Sequence, residues 1–340
     1  MSRRRRSASS TTNSGSWGCS VNPVTAGTPR MKTIREYVEA GVLPLDDLKG
    51  ALHLAMRLEF ATIPPYLCAQ WSVKDDPDRT EGVLHRIVSQ EMNHFALAGN
   101  LLAAIGGRPS IAHPDFLPTY PANELPGGIP QELPVDLKPL VKDQLAVFMQ
   151  IEYPEFPPIA LLAGRPPATI GAFYDTIIQT FQKLEPAIDP KAHAVEVPFA
   201  KPIRTVADAV DTIDRIKREG EGTQGSPDQP PGEGDNGHAH YYLFKELYVQ
   251  KRLVKTGDKW SFSGASVTLP EVYHFAASQA RPNPSTEFNR TLSKLLVDLE
   301  ACWTSGAPPN VAAMFQLQIL GRDLINRGIR PEFRWDDGAA

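Results

Sequence analysis

Cysteine is scarce: the 340 residues contain three, Cys19, Cys68 and Cys302, and no two form a CxxC pair. That spacing excludes zinc fingers, thioredoxin-like sites and a disulfide framework, and it points to a reducing, cytoplasmic setting. Apolar runs all fall short of the roughly 18 residues that a membrane-spanning helix needs, so no membrane span is expected. GxxxxGK[ST] does not occur, and GxGxxG occurs only at 220–225 and 232–237, after an expected helix and in a Gly/Pro-rich stretch rather than after a strand, so a nucleotide-binding α/β fold is not expected. Acidic residues are missing before Glu36, and residues 1–31, rich in Ser, Thr, Gly and Arg, read as a disordered basic tail. Setting it aside removes Arg3, Arg4, Arg5, Arg6 and Arg30 from a chain whose net charge is already -4. The remainder is more acidic still, opposite to the balance expected of a nucleic-acid-binding domain.

What the chain has in excess is proline, 32 residues, about twice the usual share. Proline breaks helix interiors, so its placement matters. Thirteen of the 32 prolines fall in connections at 114–134, 197–202, 227–231 and 282–284. Between such stretches apolar residues recur three and four apart, the helical period. Helices are expected over 45–72, 79–105, 136–153, 168–184, 205–220, 237–254, 284–304 and 309–327, with Gly106-Gly107 as a stop after the second. Residues 224–236 read as an exposed loop and 258–269 as a short hairpin or extended segment. The expected fold class is therefore all-α, a helical bundle with long Pro-rich connections. Residues 32–330 would make one helical domain that ends in a helical extension.

Three of these helices carry an acid where the period demands an apolar side chain, although an unpaired buried charge is costly. Glu59 shares its face with Leu52, Ala55, Met56, Ile63 and Tyr66. Glu91 and His94 lie in phase with Leu84, Ile87, Val88, Phe95 and Ala98, and Glu152 follows Leu145, Phe148 and Met149. Carboxylates aimed at one another repel unless a cation or protons compensate. Oxygen and imidazole donors without thiolate suit iron or manganese, and Glu-x-x-His puts both donors on one helical face. A second Glu-x-x-His, Glu271/His274, follows Pro270 in a poorly periodic stretch and is the weaker candidate. Glu155, one turn from Glu152, is a competing donor. His240 is in phase with Leu243, Phe244 and Leu247, whereas Glu221 lies one position off the stripe of Val206, Val210, Ile213 and Gly220. His238 should face elsewhere, and His53, His85, His113 and His193 read as surface or structural histidines. Tyr66, Tyr153, Tyr241 and Tyr242 lie near candidate ligands. Pro64, Pro65 and Pro154, just beyond inward glutamates, are expected to bend or end their helices and open a cavity.

The blocks Glu59-Phe-Ala-Thr-Ile-Pro-Pro-Tyr-Leu, Gln90-Glu91-Met-Asn-His94, Phe148-Met-Gln-Ile-Glu152-Tyr-Pro, Glu219-Gly-Glu221-Gly-Thr and His240-Tyr-Tyr-Leu-Phe occur in that order. Together they resemble the ferritin-like domain of the iminophenyl-pyruvate dimer synthase group, over about residues 45–250. The resemblance implies a ferritin-like bundle with extra helices and a dinuclear site of Glu59, Glu91 and His94 with Glu152, Glu221 and His240. Two irons, or manganese, would be the cofactor. The expected activity is that of a non-haem di-iron oxidase or oxygenase, taking O₂ and a small, amino-acid-derived aromatic substrate in specialised metabolism. Imine coupling of the dimer-synthase kind and a non-catalytic metal-binding subunit stay open as alternatives. A second copy of the chain or a pathway enzyme would be its partner, with no role for nucleic acid or membrane.

Overall fold

Helices dominate, as the apolar period requires. The structure, a computed structural model, describes residues 31–129, 132–154, 169–222, 226–227 and 238–339. The expected tail up to Arg30, Glu155 and most of the 224–236 loop lie outside them. Helix α1 (Ile34–Ala40) is a short addition to the expected set, closed by a Thr33/Glu36 capping box. The long helices α2 (Leu45–Trp71) and α3 (Thr80–Ala104) pack along their length and form the centre of the fold. Asp46 and Asp47 sit favourably in the first turn of α2. The Asp76 carboxylate accepts from the Thr80 and Glu81 amides, both at 2.7 Å, and so caps α3.

Helices α4 (Lys142–Ile151), α5 (Ile170–Leu184), α6 (Val206–Gly220) and α7 (His240–Val249) complete the bundle, α4 against α7 and α5 against α6. The third expected helix starts later than residue 136, beyond Pro139, because the residue before a proline is pushed out of helical backbone. Helix α7 stops at Val249 because the chain turns into an antiparallel hairpin, β2 (Val254–Thr256) with β3 (Lys259–Ser261), slightly ahead of the extended stretch expected over 258–269. A second small pair joins β1 (Val73–Asp75) to β4 (Glu271–Val272). Helices α8 (Thr286–Ser305) and α9 (Val311–Asn326) pack on each other, and α9 also lies on α2. There Gly321 makes room for the Trp71 ring, where any side chain would collide.

Pro64 and Pro65 do not end α2, which runs six residues beyond Pro65 to Trp71. Each proline removes an amide donor to the carbonyl four residues earlier. For Pro65 that carbonyl belongs to Ala61, and the Tyr120 hydroxyl donates to it at 2.6 Å. A side chain from the Pro-rich connection thus replaces the missing backbone bond. Changing Tyr120 to Phe is expected to cost about 1–3 kcal/mol, the usual penalty for an orphaned buried carbonyl, measurable by urea denaturation. An unchanged midpoint would refute this account.

Candidate metal centre

The six candidate ligands come from five elements, and none is more than 6% exposed. Glu59 lies mid-way along α2, and Glu91 and His94 lie one turn apart on α3. Glu152 caps the C-terminal end of α4, Glu221 caps that of α6, and His240 is the first residue of α7. Five of them form two groups whose donor atoms lie within 4.8 Å of one another: Glu59, Glu91 and His94, and Glu91, Glu152 and His240. Glu91 belongs to both. His94 Nδ1 is 3.5 Å from Glu59 Oε2 and 3.9 Å from Glu91 Oε1. His240 Nδ1 is 2.9 Å from Glu91 Oε1 and 3.4 Å from Glu152 Oε2. The two imidazoles lie nearly parallel, with ring centres 5.9 Å apart.

Glu221 joins neither group but lines the same cavity as Glu59, Glu91, His94 and Glu152. It reaches the cavity despite its poor phase from the C-cap of α6, next to Gly220, which lines the same cavity. A Cβ there would stand 3.9 Å from His94 Cε1. Glu271 and His274 take no part: both are exposed, and Glu271 belongs to β4, where it faces Lys74 at 3.5 Å.

Hydroxyls hold the carboxylates. Thr62 donates to Glu91 Oε2 at 2.6 Å, Tyr66 donates to Glu152 Oε1, and Tyr174 of α5 donates to Glu59 Oε1. Outside the cavity, His94 Nε2 meets Glu219 Oε2 at 3.0 Å, and Arg215 holds the other Glu219 oxygen at 2.9 Å. His240 Nε2 meets Gln90 Oε1 at 3.2 Å. These outer partners assign an Nε2–H tautomer to both rings and leave each Nδ1 facing the carboxylates. Tyr174, Glu219 and Gln90 were absent from the candidate set. Glu219 had one faint signal, its place in the Glu219-Gly-Glu221 block. Of the four tyrosines noted in the sequence, Tyr66 touches a candidate ligand, whereas Tyr153 and Tyr241 stack edge-to-face on each other.

The electrostatics show the strain of gathering these acids. Burial, then Glu152 and Glu59, raises the Glu91 carboxyl to about 7 against the pull of His240. Burial, Glu152 and Glu59 likewise push Glu221 well above the usual carboxylate range. Burial disfavours imidazolium at His94, yet Glu219, Glu59 and Glu91 overcome it and raise the group to about 10. His240 is raised in the same way by Glu152 and Glu91. Glu219 goes the other way: burial resists, but His94 and Arg215 bring it down to about 2. In the metal-free protein, protons on the histidines and acids balance the cluster. One atom is left without a partner, because His240 Nδ1 is buried and close to two carboxylate oxygens yet aligned with neither for a hydrogen bond. Once that nitrogen gives up its proton, its lone pair and the carboxylate oxygens around it converge in a way that suits a cation between them. The donor set, all carboxylate and imidazole, is that of iron or manganese.

The cavity beside these groups holds about 20 Å³, room for one water-sized molecule and far below the ~300 Å³ or more of a pocket for a drug-sized ligand. Its apolar walls are Leu58, Ile151, Ile170 and Ile216. Pro64 and Pro65 do not end α2 beside this cavity, and the helix continues through both. Helix α4, in contrast, does end three residues before Pro154.

A family described as Ferritin-like matches residues 52–249. A solved ferritin-like protein from Caulobacter vibrioides, known at 1.95 Å, is similar in fold, with a TM-score of 0.64 and 20% identity over 87% of this chain and 100% of that one. No curated protein matches.

Proposed function

Because the chain belongs to the ferritin-like family, we propose that it holds two iron ions, one at Glu59, Glu91 and His94 and one at Glu91, Glu152 and His240, with Glu221 as a further carboxylate ligand, and that it works as a non-haem di-iron oxidoreductase. The observation that carries this reading is the sharing of Glu91 by two buried carboxylate–imidazole groups. When bound, a ferrous pair supplies the electrons with which O₂ is activated.

The chain's own residues prepare that chemistry. Thr62, Tyr66 and Tyr174 orient the carboxylates through their hydroxyls, while Glu219 and Gln90 fix the two imidazoles with Nδ1 inward. Leu58, Ile151, Ile170 and Ile216 keep the cavity dry and admit a molecule the size of O₂. A small aromatic substrate derived from an amino acid, as the sequence resemblance implies, would enter by displacing Ile151 or Ile170 at the ends of α4 and α5. Imine coupling of the iminophenyl-pyruvate dimer synthase kind would need the same displacement. A metal-holding subunit that turns over no substrate is the alternative that would need no such displacement.

Metal analysis of protein produced with iron tests the first claim, with two irons per chain expected. Oxygen consumption by the reduced protein, with and without aromatic amino-acid-derived substrates, then separates enzyme from subunit. Metal-free protein that is fully active would overturn the proposal.

Metal affinity should also depend on pH. The raised groups, Glu91 near 7 and His94 near 10, carry protons in the metal-free protein at neutral pH or below, and ligands must be deprotonated. Binding therefore releases protons, and apparent affinity climbs as pH rises through 7. Titrations with ferrous iron under argon in lightly buffered indicator solution should show this release. Affinity that is flat between pH 6 and 8 would contradict it.

A further inference from the structure

Helix α9 lies outside the ferritin-like match and carries an apolar face that nothing in the described chain covers. Its inner side is occupied: Ala313, Leu317, Gly321, Leu324 and Ile325 are buried, with Gly321 against Trp71. On the outer side Val311 is 50% exposed, Met314 41%, Phe315 64% and Ile319 69%. Val311, Phe315 and Ile319 are successive residues of one i, i+4, i+8 row, the ridge that packs into the matching groove of another helix. Residues 311–321, VAAMFQLQILG, contain no charged side chain. The outer face of a helix that meets only water is ordinarily polar.

We propose that this face pairs with the same face of a second copy of the chain about a two-fold axis passing beside Phe315. The row is symmetric in chemistry around that residue, with a β-branched aliphatic four positions to either side. A two-fold axis there sets Val311 of one copy against Ile319 of the other, and the reverse contact follows, as an isologous interface requires. The absence of charge argues for a neutral partner of identical character, since an oppositely charged partner would find nothing to pair with. The nearest charges are already engaged, Arg322 with Glu81 and Asp323 with Arg327. Met314 beside the row has the flexibility to fill the gaps. Four side chains supply a contact at the small end of specific interfaces, under about 1,200 Å² in total, so the dimer forms and dissociates with concentration.

Sedimentation velocity of the full chain across a concentration series tests this. The expected result is a monomer–dimer equilibrium with its midpoint at about 10–100 µM. Phe315→Glu, which sets like charges face to face on the axis, should shift that midpoint upward at least tenfold while leaving the thermal midpoint unchanged, because the residue is exposed. In a Cys19→Ser background, Phe315→Cys should form a covalent dimer under mild oxidation, and Thr304→Cys, exposed on α8, should stay monomeric. Protein that remains monomeric to about 500 µM, or a dimer that Phe315→Glu leaves intact, would overturn the proposal. So would a monomer that sediments with phosphatidylcholine vesicles through this face.

Discussion

Replacing Glu91 by Ala is expected to remove metal from both positions at once, lowering iron content from about two per chain to near none. Its Oε1 faces both His240 Nδ1 and His94 Nδ1, and it is the one residue common to the two donor groups. Glu152→Ala, by contrast, should leave the group of Glu59, Glu91 and His94 able to hold one ion. The same change should spare the metal-free fold. Deleting one of several mutually repelling buried acids relieves repulsion that burial makes costly, which offsets the acceptor lost by the Thr62 hydroxyl and the carboxylate lost beside His240 and His94. Elemental analysis and thermal denaturation with and without iron read both halves of the prediction. The account fails if the variant keeps two irons, or if the metal-free variant melts far below the metal-free parent.

The second large effect lies away from the centre. Trp71→Ala is expected to cost about 3–5 kcal/mol and to loosen α8 and α9 from the bundle. The ring is 2% exposed, stacks on Phe333 at 6.3 Å and meets Phe288 edge-on at 6.2 Å. Gly321 provides no side chain to close the void. Trp71→Phe should cost far less, because the indole Nε1–H has no partner to lose and a smaller aromatic ring still fills most of the space. Guanidinium denaturation of both variants checks the order, and equal losses would mean that the ring's size is not what joins the two layers.

Several features could be read from residue order because they depend on local periodicity. Glu59, Glu91 and His94 were in phase with long apolar stripes, and a side chain in phase on an unbroken helix has little choice of direction. Other features had no such guide. Glu221 sits at a helix end, where the period stops governing side-chain direction. Glu219 meets His94 only because α6 approaches α3. That α2 continues through Pro64 and Pro65 was equally hidden, because the donor that serves the Ala61 carbonyl comes from Tyr120, far along the chain. Glu271/His274 matched a ligand spacing by chance, and strand pairing with β1 turned it outward.

Residue order by itself determined the helical class, the membership of the central helices and the presence of acids on buried faces, since burial period and charge cost are local properties. Tertiary structure decided which acids meet, that Glu91 is shared, that the cavity admits a molecule the size of water, and that no described residue covers the outer face of α9. Those outcomes depend on distances between segments far apart in the chain, which no local pattern encodes.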